Sequence, residues 1–169
     1  MNKRMQILCC AALGMVSGII SATANAATDN DKKFLAMAAQ SDQNEIALSK
    51  LADEKATNSN VKAFAEKMID EHAKMTESMK PFAESWGLTP PNGPDSEHQD
   101  ELNKLNGLSG GDFDKEYINQ MVADHSKALS AFTTEAKDTK DVKFRQAVLK
   151  GKTGVAAHKN MAYDLKGKL

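Results

Sequence analysis

Cysteine is nearly absent from this chain: Cys9 and Cys10 are the only two, and both lie in the apolar run Ile7 to Ile20. Apolar runs of membrane-spanning length are missing as well. Ile7 to Ile20 falls short of the roughly 20 residues that cross the hydrocarbon core, and nothing later is apolar enough. Val and Ile are sparse and no stretch alternates apolar with polar residues, which argues against a sheet. Aromatic residues make up 5%, no basic run is interleaved with them, and the formal net charge is −1 with the signs mixed throughout. That describes a solvated surface and sets nucleic-acid binding aside. A Ser–His–Asp constellation, a phosphate loop and a paired-carboxylate arrangement are not visible either, so the sequence names no enzyme.

What is present begins with a leader. Lys3 and Arg4 precede the apolar run, and Ala24-Asn25-Ala26 follows it with the small-x-small pattern of a cleavage site. The expectation is a signal peptide over 1–26, cut after Ala26, and a periplasmic or secreted protein of the bacterial cell envelope. Cys9 and Cys10 lie inside the apolar run instead of after it, which argues against a lipoprotein. Both would leave with the leader, taking every possible disulfide, thiolate ligand and cysteine nucleophile. Residues 27–169 then have the size of one domain and must be held by their core alone.

Four segments carry apolar residues at helical spacing. The first runs from about Asp31 to Lys55, with Phe34, Met37, Ala38, Ser41, Leu48, Leu51 and Ala52 on one face. The second starts at a cap, Asn58 or Ser59, and its stripe passes from Val61 and Phe64 through Met68 and Met75 to Phe82 and Trp86. Pro81 predicts a kink in its last turns, and Gly87 ends it. A Pro- and Gly-rich loop follows, then a short helix capped by Ser96 and reaching about Leu105. The third long helix spans about Phe113 to Lys137, with Tyr117, Ile118, Met121, Val122, Leu129 and Phe132 inward. A tight turn over Asp138 to Asp141 leads into the fourth, which reaches about Leu165. Two short turns make two antiparallel hairpins, and the long connection between them can run the length of the bundle. The predicted fold is all-α: a ferritin-like four-helix bundle whose long crossover carries a short extra helix. An internal echo supports two related hairpins. Phe64-x3-Met68-Ile69-x-Glu71-His72-Ala73-Lys74 matches Tyr117-x3-Met121-Val122-x-Asp124-His125-Ser126-Lys127 at an offset of 53.

Each long helix places one ionisable residue where its stripe calls for a core residue. These are Glu45, His72, His125 and His158. His72 lies four after Met68 and three before Met75, and His158 three after Val155 and three before Met161, so each shares the apolar face. Counted from the two hairpin turns, hairpin partners differ in height by only ~5 Å, so all four can meet in one layer. Buried groups of this kind persist when paired or bound to metal. Three imidazoles and a carboxylate suit zinc, copper or iron, whereas calcium and magnesium prefer oxygen ligands. Met68, Met75, Met121 and Met161 add soft sulfur that favours cuprous copper, or serve as flexible core filler. A metal-free Glu–His hydrogen-bond network is the other reading of the same residues. Glu71 and Asp124, one residue before a histidine, point about 100° away and read as surface charges or as groups orienting a neighbour. His98, in the short helix, reads as exposed.

The Phe34-Leu35-x2-Ala38-Ala39 opening, Phe64-x3-Met68-x3-His72, Phe113-Asp114-x2-Tyr117, His125 and His158 together resemble the domain-of-unknown-function family 4142, over essentially all of residues 31–165. The resemblance implies an exported protein with a ferritin-like bundle. It makes Glu45, Asp70, His72, Asp114, His125 and His158 counterparts of the family's recurrent polar positions. Ferritin-like di-iron enzymes use Glu-x-x-His on two helices. Here Ile69, Val122 and Val155 stand three residues before the histidines, which leaves bridged di-iron chemistry without its ligands. Two functional readings follow. One is an envelope protein binding a single transition metal through Glu45, His72, His125 and His158. The other is a metal-free structural or stress-related periplasmic bundle acting through its surface, with a homodimer open to either.

Overall fold

The computed structural model describes residues 27–169; the expected signal peptide and both cysteines lie outside the described residues. Thr28 opens the first helix with a capping box: its hydroxyl accepts from the Asp31 amide, and the Asp31 carboxylate accepts from the Thr28 amide. The helices are α1 (Asp29–Lys55), α2 (Ser59–Ser85), α3 (Ser96–Asn106), α4 (Gly110–Asp138) and α5 (Val142–Lys166), and no strand is found among the described residues. Asn58 caps α2. Asp95, not the expected Ser96, caps α3 by accepting from the His98 amide, and α4 starts at Gly110, one turn before the expected Phe113. α2 continues through Pro81 to Ser85, and Gly87 takes a positive φ of 68° just beyond its end.

Side-chain contacts fix the topology. Asp114, near the start of α4, accepts from the amides of Thr57 and Asn58 and from the Thr57 hydroxyl, so α4 begins where α1 turns into α2. At the other end Phe34 of α1 meets Phe132 of α4 and Phe144 of α5 edge-on, at 4.9 and 6.0 Å between ring centroids. The crossover between α2 and α4 therefore travels the full length of the bundle with α3 inside it. This is the ferritin-like arrangement the sequence predicts. Asn44 of α1 ties the crossover down, donating to Asp95 and accepting from its amide.

Two apolar clusters fill the bundle. One, around Leu48, Val61, Phe64, Met68, Phe113, Tyr117 and Met121, occupies the end holding the α1–α2 turn. The other, around Phe34, Leu35, Met79, Phe132, Phe144 and Val148, occupies the opposite end. Burial of side chains this size contributes roughly 1.5–3 kcal/mol each. Met37, expected inward, is 39% exposed. No helix of the described residues is long and apolar enough to cross a membrane.

Candidate metal centre

Between the two clusters lies a polar layer. Asp42 and Glu45 enter it from α1, His72 from α2, His125 from α4 and His158 from α5, and all five are buried. One ring nitrogen from each of the three histidines lies within 4.8 Å of the other two. The rings stand 5.1 to 5.5 Å apart, centroid to centroid, at steep angles to one another.

Each imidazole is held from outside the group through one nitrogen. His72 Nδ1 lies 2.9 Å from Asp42 Oδ1, and the Thr76 hydroxyl donates to the other Asp42 oxygen. His125 Nδ1 lies 2.8 Å from the Met121 carbonyl. His158 Nε2 lies 2.6 Å from Glu71 Oε2. Since carboxylates and carbonyls only accept, each of these nitrogens carries the proton. The nitrogens left with lone pairs are His72 Nε2, His125 Nε2 and His158 Nδ1. The first two stand 3.4 Å apart, and His158 Nδ1 is buried with no hydrogen-bond partner. Burial first, then the neighbouring His72 and His158, push His125 down to about 3, so it stays neutral. His158 is also lowered, by burial foremost. When all three rings are neutral, their converging lone pairs form an acceptor set that a cation satisfies.

Three of the four residues singled out in the sequence thus come together, and the fourth stands beside them. Glu45 Oε1 is 3.7 Å from His125 Nδ1, the outward nitrogen, and its Oε2 is buried without a partner. Burial, then the charges of Asp124 and Asp42, hold the Glu45 carboxyl well above its usual range. Asp42 went unremarked in the sequence, although it lies four after Ala38 and three before Glu45 on the same stripe. Glu71 departs from the surface-charge reading. Its side chain reaches across to His158 while also pairing with Lys67. Asp124 is buried and accepts from Gln120. His98 departs from the exposed reading: its side chain is 12% exposed and sits between Asp95, at 2.8 Å, and Asp124, at 3.6 Å. These partners, Asp124 foremost, raise it to about 9. Of the two remaining recurrent positions, Asp114 is buried in the turn-binding role described above, and Asp70 is exposed and paired with Lys74.

Two hollows approach the layer. A cleft of about 260 Å³ at the α2–α5 seam is lined by Glu71, Met75, Gly151, Gly154 and His158. An apolar cavity of about 370 Å³ between α1 and α2 is lined by Leu35, Ala38, Met79 and Phe132, with Asp42 and Thr76 in its wall.

The fold recurs in solved structures. A DUF305 fragment from Deinococcus radiodurans superposes with a TM-score of 0.70 at 16% identity, over 85% of this chain and 99% of its own. A DUF305 protein from Streptomyces coelicolor gives 0.71 at 14% identity, over 82% and 91%. At such identities the likeness establishes the fold alone. No curated protein matches the chain. The model of DUF4142, a domain of unknown function, matches residues 20–165, and the chain belongs to that family.

Proposed function

We propose that this protein binds a single transition metal in the cell envelope, with His72, His125 and His158 as ligands and Glu45 as the carboxyl bordering the site. One observation carries the reading: every imidazole is anchored outward by an acceptor, leaving three lone-pair nitrogens turned on one another in a buried layer. Metal-bound histidines are oriented in this way, the second nitrogen donating to a carboxylate or backbone carbonyl. Zinc, copper and iron all accept imidazole ligands. The cleft at Glu71 and His158 reaches the outer edge of the layer. Three ligands leave room for a further donor, as open metal sites do. A signal peptide over 1–26 would deliver the protein to the envelope.

A second reading rests on the 3.4 Å approach of His72 Nε2 to His125 Nε2. An imidazolium at His72, balanced by Asp42, would donate to His125 and make a metal-free network. That arrangement still leaves His158 Nδ1 without a partner, which favours the metal. The deciding experiment is elemental analysis of protein purified without chelator, beside His72→Ala/His125→Ala. About one equivalent of transition metal in the wild type and none in the variant is expected. No metal in either, with only the variant destabilised, would establish the network instead.

A further inference from the structure

The outer face of α5 carries an apolar row beside a basic row. Val142, Leu149, Ala156 and Tyr163 recur every seven residues, and Arg145, Lys152, Lys159 and Lys166 recur every seven residues three positions later. A seven-residue step nearly closes two helical turns, so these make two parallel rows over about 32 Å of helix. Lys143 and Lys150 flank the apolar row on its other side. Val142, Leu149 and Tyr163 are 66%, 39% and 50% exposed, three of the four large apolar side chains exposed among the described residues.

The charge is uncompensated. Between 142 and 169 the basic residues are Lys143, Arg145, Lys150, Lys152, Lys159, Lys166 and Lys168, and Asp164 is the single acid. Elsewhere several surface lysines are paired with acids: Lys62 with Asp53, Lys67 with Glu71, Lys74 with Asp70, Lys80 with Glu77 and Lys127 with Glu97. Among the described residues none of the α5 lysines enters an ion pair; Lys159 lies instead over the Tyr163 ring at 5.7 Å. Arg145 donates to the Thr139 carbonyl, which leaves its charge unbalanced.

We propose that this face of α5 docks on a bilayer surface rich in anionic lipid headgroups, lying along it without crossing. The lysines would meet the headgroups, and the apolar row would rest at the boundary with the acyl chains. Basic residues flanking exposed apolar ones along one helix face are the pattern of interfacial helices. A facing protein helix would need a carboxylate opposite each turn of the basic row, in register, whereas a plane of anionic headgroups needs no register. A second copy of this chain offers one helical row of acids at the same seven-residue step. The acidic row of α2, Asp70, Glu77 and Glu84, already holds Lys74 and Lys80.

The test is co-sedimentation of the protein as recovered from cells, its N-terminus read by mass spectrometry. Vesicles of phosphatidylcholine alone are compared with phosphatidylcholine–phosphatidylglycerol at about 3:1. Binding only to the mixed vesicles is expected, released by high salt and weakened more than about tenfold in Lys152→Glu/Lys159→Glu. Lys152→Arg/Lys159→Arg should bind as the wild type, and metal content should be the same in all three, which separates this face from the histidine site. Absence of wild-type binding to the mixed vesicles, or undiminished binding by the reversed variant, would overturn the proposal. So would a wild-type dimer that the reversed variant dissociates while neither binds lipid.

Discussion

The ends of the bundle are closed by aromatic and aliphatic side chains, whereas the layer between them holds three imidazoles and two carboxyl groups. Phe34, Phe82, Trp86, Phe132 and Phe144 stack edge-on at one end, and every such contact lowers the free energy of the folded chain. In the middle the balance is reversed. Polar groups taken from water need partners, and at Glu45 Oε2 and His158 Nδ1 the protein supplies none. The contrast assigns the register of the helices to the apolar ends, while the layer between them carries buried polar atoms that the protein leaves unpaired.

The largest effect on stability belongs to the ends. Phe144→Ala, at a fully buried ring touching Phe34, Phe82 and Trp86, is expected to cost about 3–5 kcal/mol in urea unfolding. His125→Leu, in protein freed of metal by chelator, is expected to be neutral or stabilising by about 1 kcal/mol, because an apolar side chain replaces a desolvated imidazole. A loss as great as that of Phe144→Ala would break the contrast and make the layer as structural as the ends.

The smallest effect is a pH dependence at the end that holds the α4–α5 turn. Burial and the Asp31 carboxylate push Glu135 up to about 7. Asp31, which burial would raise, is lowered overall by hydrogen bonds from Glu135, Thr139 and Thr28. A raised carboxyl favours the folded state while protonated, so the Glu135 contribution is complete below its ordinary value of 4.5 and lost as pH rises through about 7. The lowered Asp31 acts oppositely, its contribution being lost in acid. Glu135→Gln should therefore flatten the fall in stability between pH 5.5 and 8, measured by urea midpoints. An unchanged slope would assign that fall to other groups.

Much of this was legible in the chain. The helices follow from apolar residues three and four apart, and the crossover from the Pro–Gly loop that separates two hairpins. His72, His125 and His158 were found because each interrupts an apolar stripe. What was left between two readings, or misread, was governed by neighbours on other helices. Glu71 sits about 100° from His72 on α2, an outward position by its own periodicity, yet it faces the α2–α5 seam where His158 arrives. Asp124 and His98 look like surface residues until α3 folds down on α4 and covers them.

The sequence by itself determined the all-helical architecture, the two hairpins and the inward direction of the three histidines, because these depend on spacing along one helix. Only the tertiary structure decided which nitrogen of each ring is anchored and that Asp42 and Glu71 do the anchoring. It also set Glu45 to one side of the group. Such choices depend on distances of a few ångströms between helices, and no spacing within a single helix encodes them.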